Sequence, residues 1–196
     1  MLASITPLGE RGRRSTWGVT VTAFALGAVV AGAAAGAILG LLGAVAGVGG
    51  ASTRARVAIL AGAVVVAIAI DASGRRVPGP RRQVDERWLD RYRGWVYGLG
   101  YGSQLGLAVL TVVSSAATYV ALMAALLSAS AVQGAIILGC FGAVRGFTPL
   151  AAAHVRSQRE LLNLHRGLER WRAPVHWGTV GLQVAILAIA VAVAGG

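Results

Sequence analysis

Lysine is missing from this 196-residue chain: all 18 basic side chains are arginine, only seven residues are acidic, and charged residues make up 13% of the total. Water-soluble domains usually carry about 25% charge, so a soluble globular fold is already excluded on composition. Without lysine there is no Schiff-base chemistry and no Walker A loop, which holds phosphates with its lysine. Cys140 is the one cysteine, which rules out an intrachain disulfide and a dithiol redox pair. In its glycine-rich apolar setting it reads as a small buried hydrophobe. His154, His165 and His176 recur every 11 residues, but no acidic or cysteine ligand stands beside them at metal spacing, and Pro174 is expected to break the helix before His176. No metal and no other cofactor is expected. Nor does any nucleophile–base pair stand out, so the chain does not read as an enzyme.

What the chain has is apolar length. Hydrophobic residues make up 56%, and the stretches 15–53 and 94–144 contain no charge at all. Roughly 20 helical residues cross a hydrocarbon core of about 30 Å. The pattern predicts an all-α fold: a polytopic transmembrane helical bundle forming a single domain over 1–196, with five spans at about 17–48, 55–71, 97–127, 131–150 and 175–194. Segments 71–95 and 151–173 are the long loops. Sixteen arginines fall in the N-terminus, in these loops or beside them, whereas only Arg54 and Arg56 lie on the opposite side. The positive-inside rule then predicts a bacterial inner-membrane protein with a cytoplasmic N-terminus and an outside C-terminus. The same rule accounts for the net charge of +11 without nucleic acid as a partner. Arg13-Arg14 resemble a twin-arginine signal, but the apolar run that follows is about twice the length of a signal core.

Both loops read as amphipathic helices. Leu161, Leu164, Leu168 and Trp171 share a face, as do Val84, Trp88, Tyr92 and Trp95. The run Arg87–Arg93 repeats as Arg166–Arg172 at an offset of 79. Arginines with interfacial aromatics suit a lipid bilayer with an anionic inner leaflet, or alternatively a cytoplasmic partner.

Polar groups inside a membrane are costly and therefore informative. Gln104, Thr111, Ser115 and Thr118 are spaced to share one helical face, with Tyr119 beside them. Such a face can line a solute path or glue helices together. Arg145 lies inside an apolar run, where it either snorkels to the interface or attracts an anionic solute. Gly32, Gly36 and Gly40 form a small-xxx-small ridge for close helix packing, within one bundle or between subunits.

The stretch Arg14–Gly27, Arg-Ser-Thr-Trp-Gly-Val-Thr-Val-Thr-Ala-Phe-Ala-Leu-Gly, resembles the second helix of the CcdA and DsbD transmembrane-domain family, which is related to LysE and TauE-type exporters. Tyr97–Gly106 is similar to that family's fourth helix. The resemblance implies a six-helix bundle, of which this chain would lack the first helix, with Leu2–Leu8 as its tail. The family's paired cysteines are absent, so thiol electron transfer is not implied. Taken together, these readings predict a permease or exporter of a small solute whose path runs along Gln104, Thr111, Ser115, Thr118, Tyr119 and Arg145. The alternative is a non-transporting accessory or assembly subunit of a membrane complex, working as a homo-oligomer or with a partner membrane protein.

Overall fold

The computed structural model describes residues 5–13, 15–74, 77–79, 92–108, 113 and 115–195. Thr6 caps the short helix α1 (Pro7–Gly12) by accepting the Gly9 N–H at 3.0 Å, with Pro7 in the first turn, where no amide donor is needed. Helix α2 (Trp17–Val45) ends at Gly47, whose φ of 76° is a left-handed conformation that glycine adopts without steric cost. After a 3₁₀ turn, Ser52 caps α3 (Thr53–Ala72). Then come α4 (Gly94–Gly106), α5 (Ala117–Leu127), α6 (Ala131–Gly146), a 3₁₀ turn over Thr148–Ala152, and α7 (Gln158–Gly195). The described residues form an all-helical membrane bundle.

α2 is the central helix, packed by α4 along one side and α6 along another. Both seams are made of glycine. A Cβ added to Gly98, Gly102 or Gly106 of α4 would strike the carbonyl oxygens of Thr20, Phe24 and Ala28, a row with the same four-residue step on α2. On the other seam Gly36 and Gly134 face each other, so that a Cβ on either would run into the other's carbonyl. Gly32 meets the Leu138 carbonyl and Gly40 meets that of Ser130. Backbones this close gain dispersion contacts and Cα–H···O contacts, which drive helix association where lipid tails leave no hydrophobic force between helices. The bulky aliphatics point the other way: Val30, Ile38, Val132, Ile136 and Val144 lie on the outer surface. Small inside and large outside is the reverse of a water-soluble core, and it suits a bundle solvated by lipid. Cys140, read as buried, lies on this outer surface. It is displaced there because the inward positions of α6 belong to Gly134, Leu138, Gly139, Gly142 and Gly146.

α3 and α7 pair with each other, and α5 connects them to the central helices by touching α2, α3 and α6. Three expectations change. Among the described residues four helices, not five, are long and apolar enough to cross a membrane: Trp17–Val45, Thr53–Ala72, Ala131–Ala152 and Gln158–Ala192. The stretch 97–127 is not one helix. α4 stops at Gly106, and Ala108 takes a φ of 62°, a left-handed turn costing an alanine about 1 kcal/mol. Finally, 151–173 is not a loop ahead of a separate span, because α7 runs unbroken through Pro174. Proline removes one amide donor and frees the carbonyl four residues earlier. Here that carbonyl is on Arg170, in an exposed stretch of helix where water can reach it.

Gly36→Ala should lower stability by about 1–3 kcal/mol through overpacking, because the α2 and α6 backbones must separate. Gly62→Ala on α3 has open space around its Cβ and should be neutral or stabilising by up to about 1 kcal/mol. Unfolding in detergent with both variants checks the opposite signs.

Candidate functional site

Two buried polar constellations interrupt the apolar interior. The first sits where α1, α2 and α4 meet. Glu10 is fully buried, and its Oε1 accepts from Arg13 Nη2 at 2.9 Å and from the Tyr97 hydroxyl, while Oε2 accepts from Thr20 Oγ1 at 3.0 Å. The Arg13 guanidinium also lies 5.7 Å from the centre of the Tyr97 ring, within cation–π range. Burial pushes the Glu10 carboxyl up, but hydrogen bonds from Tyr97, Arg13, Thr20 and Ser15 outweigh it and hold the group below its ordinary value of 4.5. The same carboxylate raises the Arg13 guanidinium against the opposing effect of its own burial. Close by, Ile5, Val21, Phe24, Tyr97 and Tyr101 make one apolar cluster from α2, α4 and the residue ahead of the Thr6 cap, so the Glu10 end of the ion pair is buried while the Arg13 side chain is partly exposed.

The second constellation joins α3, α5 and α7. Asp71, one residue from the end of α3, is 4% exposed. Its Oδ1 accepts the Ala116 N–H at 2.9 Å; its Oδ2 accepts from Ser115 Oγ at 2.8 Å and from Gln183 Nε2 at 2.8 Å. Ser115 Oγ accepts in turn from the Ala117 N–H at 3.1 Å. The carboxylate therefore caps the first turn of α5 from outside that helix, where the helix dipole favours negative charge. All three donors are neutral, and among the described residues no arginine pairs with Asp71. Gln183 is 3% exposed, and its Oε1 has no hydrogen-bond partner.

The residues expected along a solute path are carried by three helices, α4, α5 and α6, and by the segment just ahead of α5. Gln104 lies on α4, on the far side of the break from Ser115, Thr118 and Tyr119, and Thr111 lies outside the described residues. Ser115 is engaged with Asp71, Thr118 is buried on α5, and Tyr119 is partly exposed with its hydroxyl donating to the Pro78 carbonyl. Arg145 stands one residue from the end of α6, its guanidinium 5.4 Å from the ring centre of Phe141 on the same helix. A cation in the last turn also complements the helix dipole. Gly32, Gly36 and Gly40 all lie on the α2 face that meets α6. The sequence reading overlooked Asp71, taken only as the end of a span, and Gln183. The available signal was the rule that an acid or amide within an apolar helix needs a partner.

No family model matches the chain, and no solved structure matches it. Two curated relatives do. The chain is 31% identical over 176 residues to the methylamine utilization protein MauF of Paracoccus versutus, covering 85% of this chain and 61% of that protein. It is 32% identical over 162 residues to MauF of Methylorubrum extorquens, covering 79% of this chain and 55% of that one. The chain thus spans about three fifths of the length of these relatives. The likeness to MauF overturns the CcdA, DsbD and exporter resemblance. A glycine-rich apolar helix behind an Arg-Ser-Thr start is a pattern that membrane packing imposes on unrelated chains, and short matches of that kind do not carry descent.

Glu10→Gln should cost about 2 kcal/mol, since a charge-assisted cluster becomes a neutral one. A carboxyl lowered in the folded state stabilises above its ordinary value of 4.5, and that stabilisation is lost as pH falls through the lowered value. Thermal midpoints in detergent between about pH 6 and about pH 4 should therefore fall more for the wild type than for Glu10→Gln. Parallel curves would remove Glu10 from the account.

Proposed function

We propose that the chain is a non-catalytic accessory or assembly subunit of a membrane complex serving methylamine utilization. The observation that carries this reading is the likeness to two MauF proteins across most of the chain. The disposition of polar groups supports it: Ser115 and Tyr119 are already hydrogen-bonded within the protein, and Gln104 and Arg145 stand on other helices.

The surface of α7 supports the same reading. Among its described side chains Val180 and Gln183 are the buried ones, whereas Trp171, Val175, Trp177, Leu182 and Ile189 are at least 60% exposed. A helix held along so narrow a strip keeps most of its circumference for partner helices or lipid. The reading places the arginine-rich segments 71–95 and 151–173 on the cytoplasmic side against anionic headgroups, with α4 and α5 together making one interrupted crossing.

Solubilised gently from its native membranes, the chain should co-purify with a fixed partner at constant stoichiometry. Liposomes containing the purified chain alone should show no flux of methylammonium or other small solutes above empty vesicles. Solute flux that falls at least tenfold in Gln104→Leu, with no partner recovered, would reinstate a permease.

A further inference from the structure

The Asp71 constellation leaves two demands unmet. Its carboxylate is buried and receives three hydrogen bonds, all from neutral groups: the Ser115 hydroxyl, the Ala116 amide and the Gln183 side-chain amide. Hydrogen bonds from neutral donors orient the charge but do not cancel it. The ion pair formed among the described residues, Arg13 with Glu10, belongs to the other constellation. The second demand is Gln183 Oε1, a buried acceptor with no donor. Rotating the amide does not help, because it would turn Oε1 toward the Asp71 carboxylate and forfeit the Nε2 hydrogen bond. The amide is therefore held with its nitrogen on Asp71 and its oxygen free.

Acceptor bookkeeping defines what would satisfy both. A carboxylate offers about four lone-pair positions and an amide oxygen two. Asp71 has three filled, which leaves one on the carboxylate and two on Gln183 Oε1. Water would satisfy the amide oxygen and leave the charge as it is, whereas an arginine-sized cation would have to displace existing donors. Among the described residues no group of three or more histidines, cysteines and acids is arranged to hold a metal ion. One carboxylate with a neutral oxygen balances a single positive charge, not two. We propose that Asp71 and Gln183 Oε1 form a binding site for a small monovalent cation, either an alkali ion or an ammonium-type ion. The occupant cancels the Asp71 charge and supplies the missing partner of Gln183. Because Asp71 and Gln183 sit on α3 and α7, occupancy tightens the attachment of α7 to the bundle.

The test is thermal unfolding of the purified full chain in detergent at constant ionic strength, replacing choline chloride with sodium, potassium, ammonium or methylammonium chloride. At least one of these should raise the midpoint saturably, by about 5–10 °C at a hundredfold excess over its Kd, while choline, a bulky quaternary ammonium with no N–H donor, does not. Ammonium and methylammonium acting alone would identify an N–H donor cation; sodium or potassium acting alone would identify an alkali ion. Asp71→Asn should need at least tenfold more cation for the same shift, and Gln183→Glu should need less. Gln183→Met keeps the carboxylate and deletes the amide oxygen, so it makes the same comparison if Asp71→Asn does not give a monodisperse protein. Equal wild-type midpoints in all five salts would overturn the proposal, as would a shift that persists unchanged in Asp71→Asn or, in its place, Gln183→Met.

Discussion

Direct contact between helix backbones is the constraint on which the bundle rests. α2 can lie against α4 and α6 at the observed distance only because glycine stands wherever a Cβ would meet a carbonyl oxygen. Lipid offers no reward for burying leucine beside leucine, so the stabilising contacts are many small ones between main-chain atoms. The outward placement of valine, isoleucine and leucine follows from the same fact, since the inward positions have no room for them. The short helix α4 follows as well: its glycines dock it over about two turns of α2, and the sequence has no such row beyond Gly106.

Polar chemistry enters this frame at two points, and each ties elements distant in sequence. Glu10 and Tyr97 are 87 positions apart, and Asp71 and Gln183 are 112 apart. Glu10 is matched by an arginine, and its carboxylate is buried beside aromatic side chains. Asp71 is hydrogen-bonded by neutral groups alone. One buried carboxylate is thus electrically closed and the other is open, a difference no composition count contains.

Local regularities were legible from the sequence. The four-residue step of Gly32, Gly36 and Gly40 implied close helix packing, and charge-free length implied a helical membrane bundle. Interruptions were less legible. Nothing in 97–127 carries charge or proline, so the stretch reads as continuous, although Ala108 turns left-handed there. Pro174 reads as a break but sits within α7, because its freed carbonyl is on the exposed side and needs no partner from the protein. Asp71 and Gln183 escaped because each looks ordinary in its own helix and acquires meaning only when α3 and α7 are brought together. The mistaken exporter resemblance has a related origin, since glycine-and-alanine helices are shaped by packing in many unrelated membrane proteins.

The 38 residues of α7 extend about 57 Å at 1.5 Å per residue, nearly twice the thickness of a hydrocarbon core. One helix therefore joins the exposed stretch around Arg159 to Gln183, with the hydrogen-bond ladder lacking a single rung at Pro174. From Gln183 the connection continues across its amide to Asp71 and on to the first turn of α5, so a region far outside the bundle and one in its middle are covalently and hydrogen-bond linked.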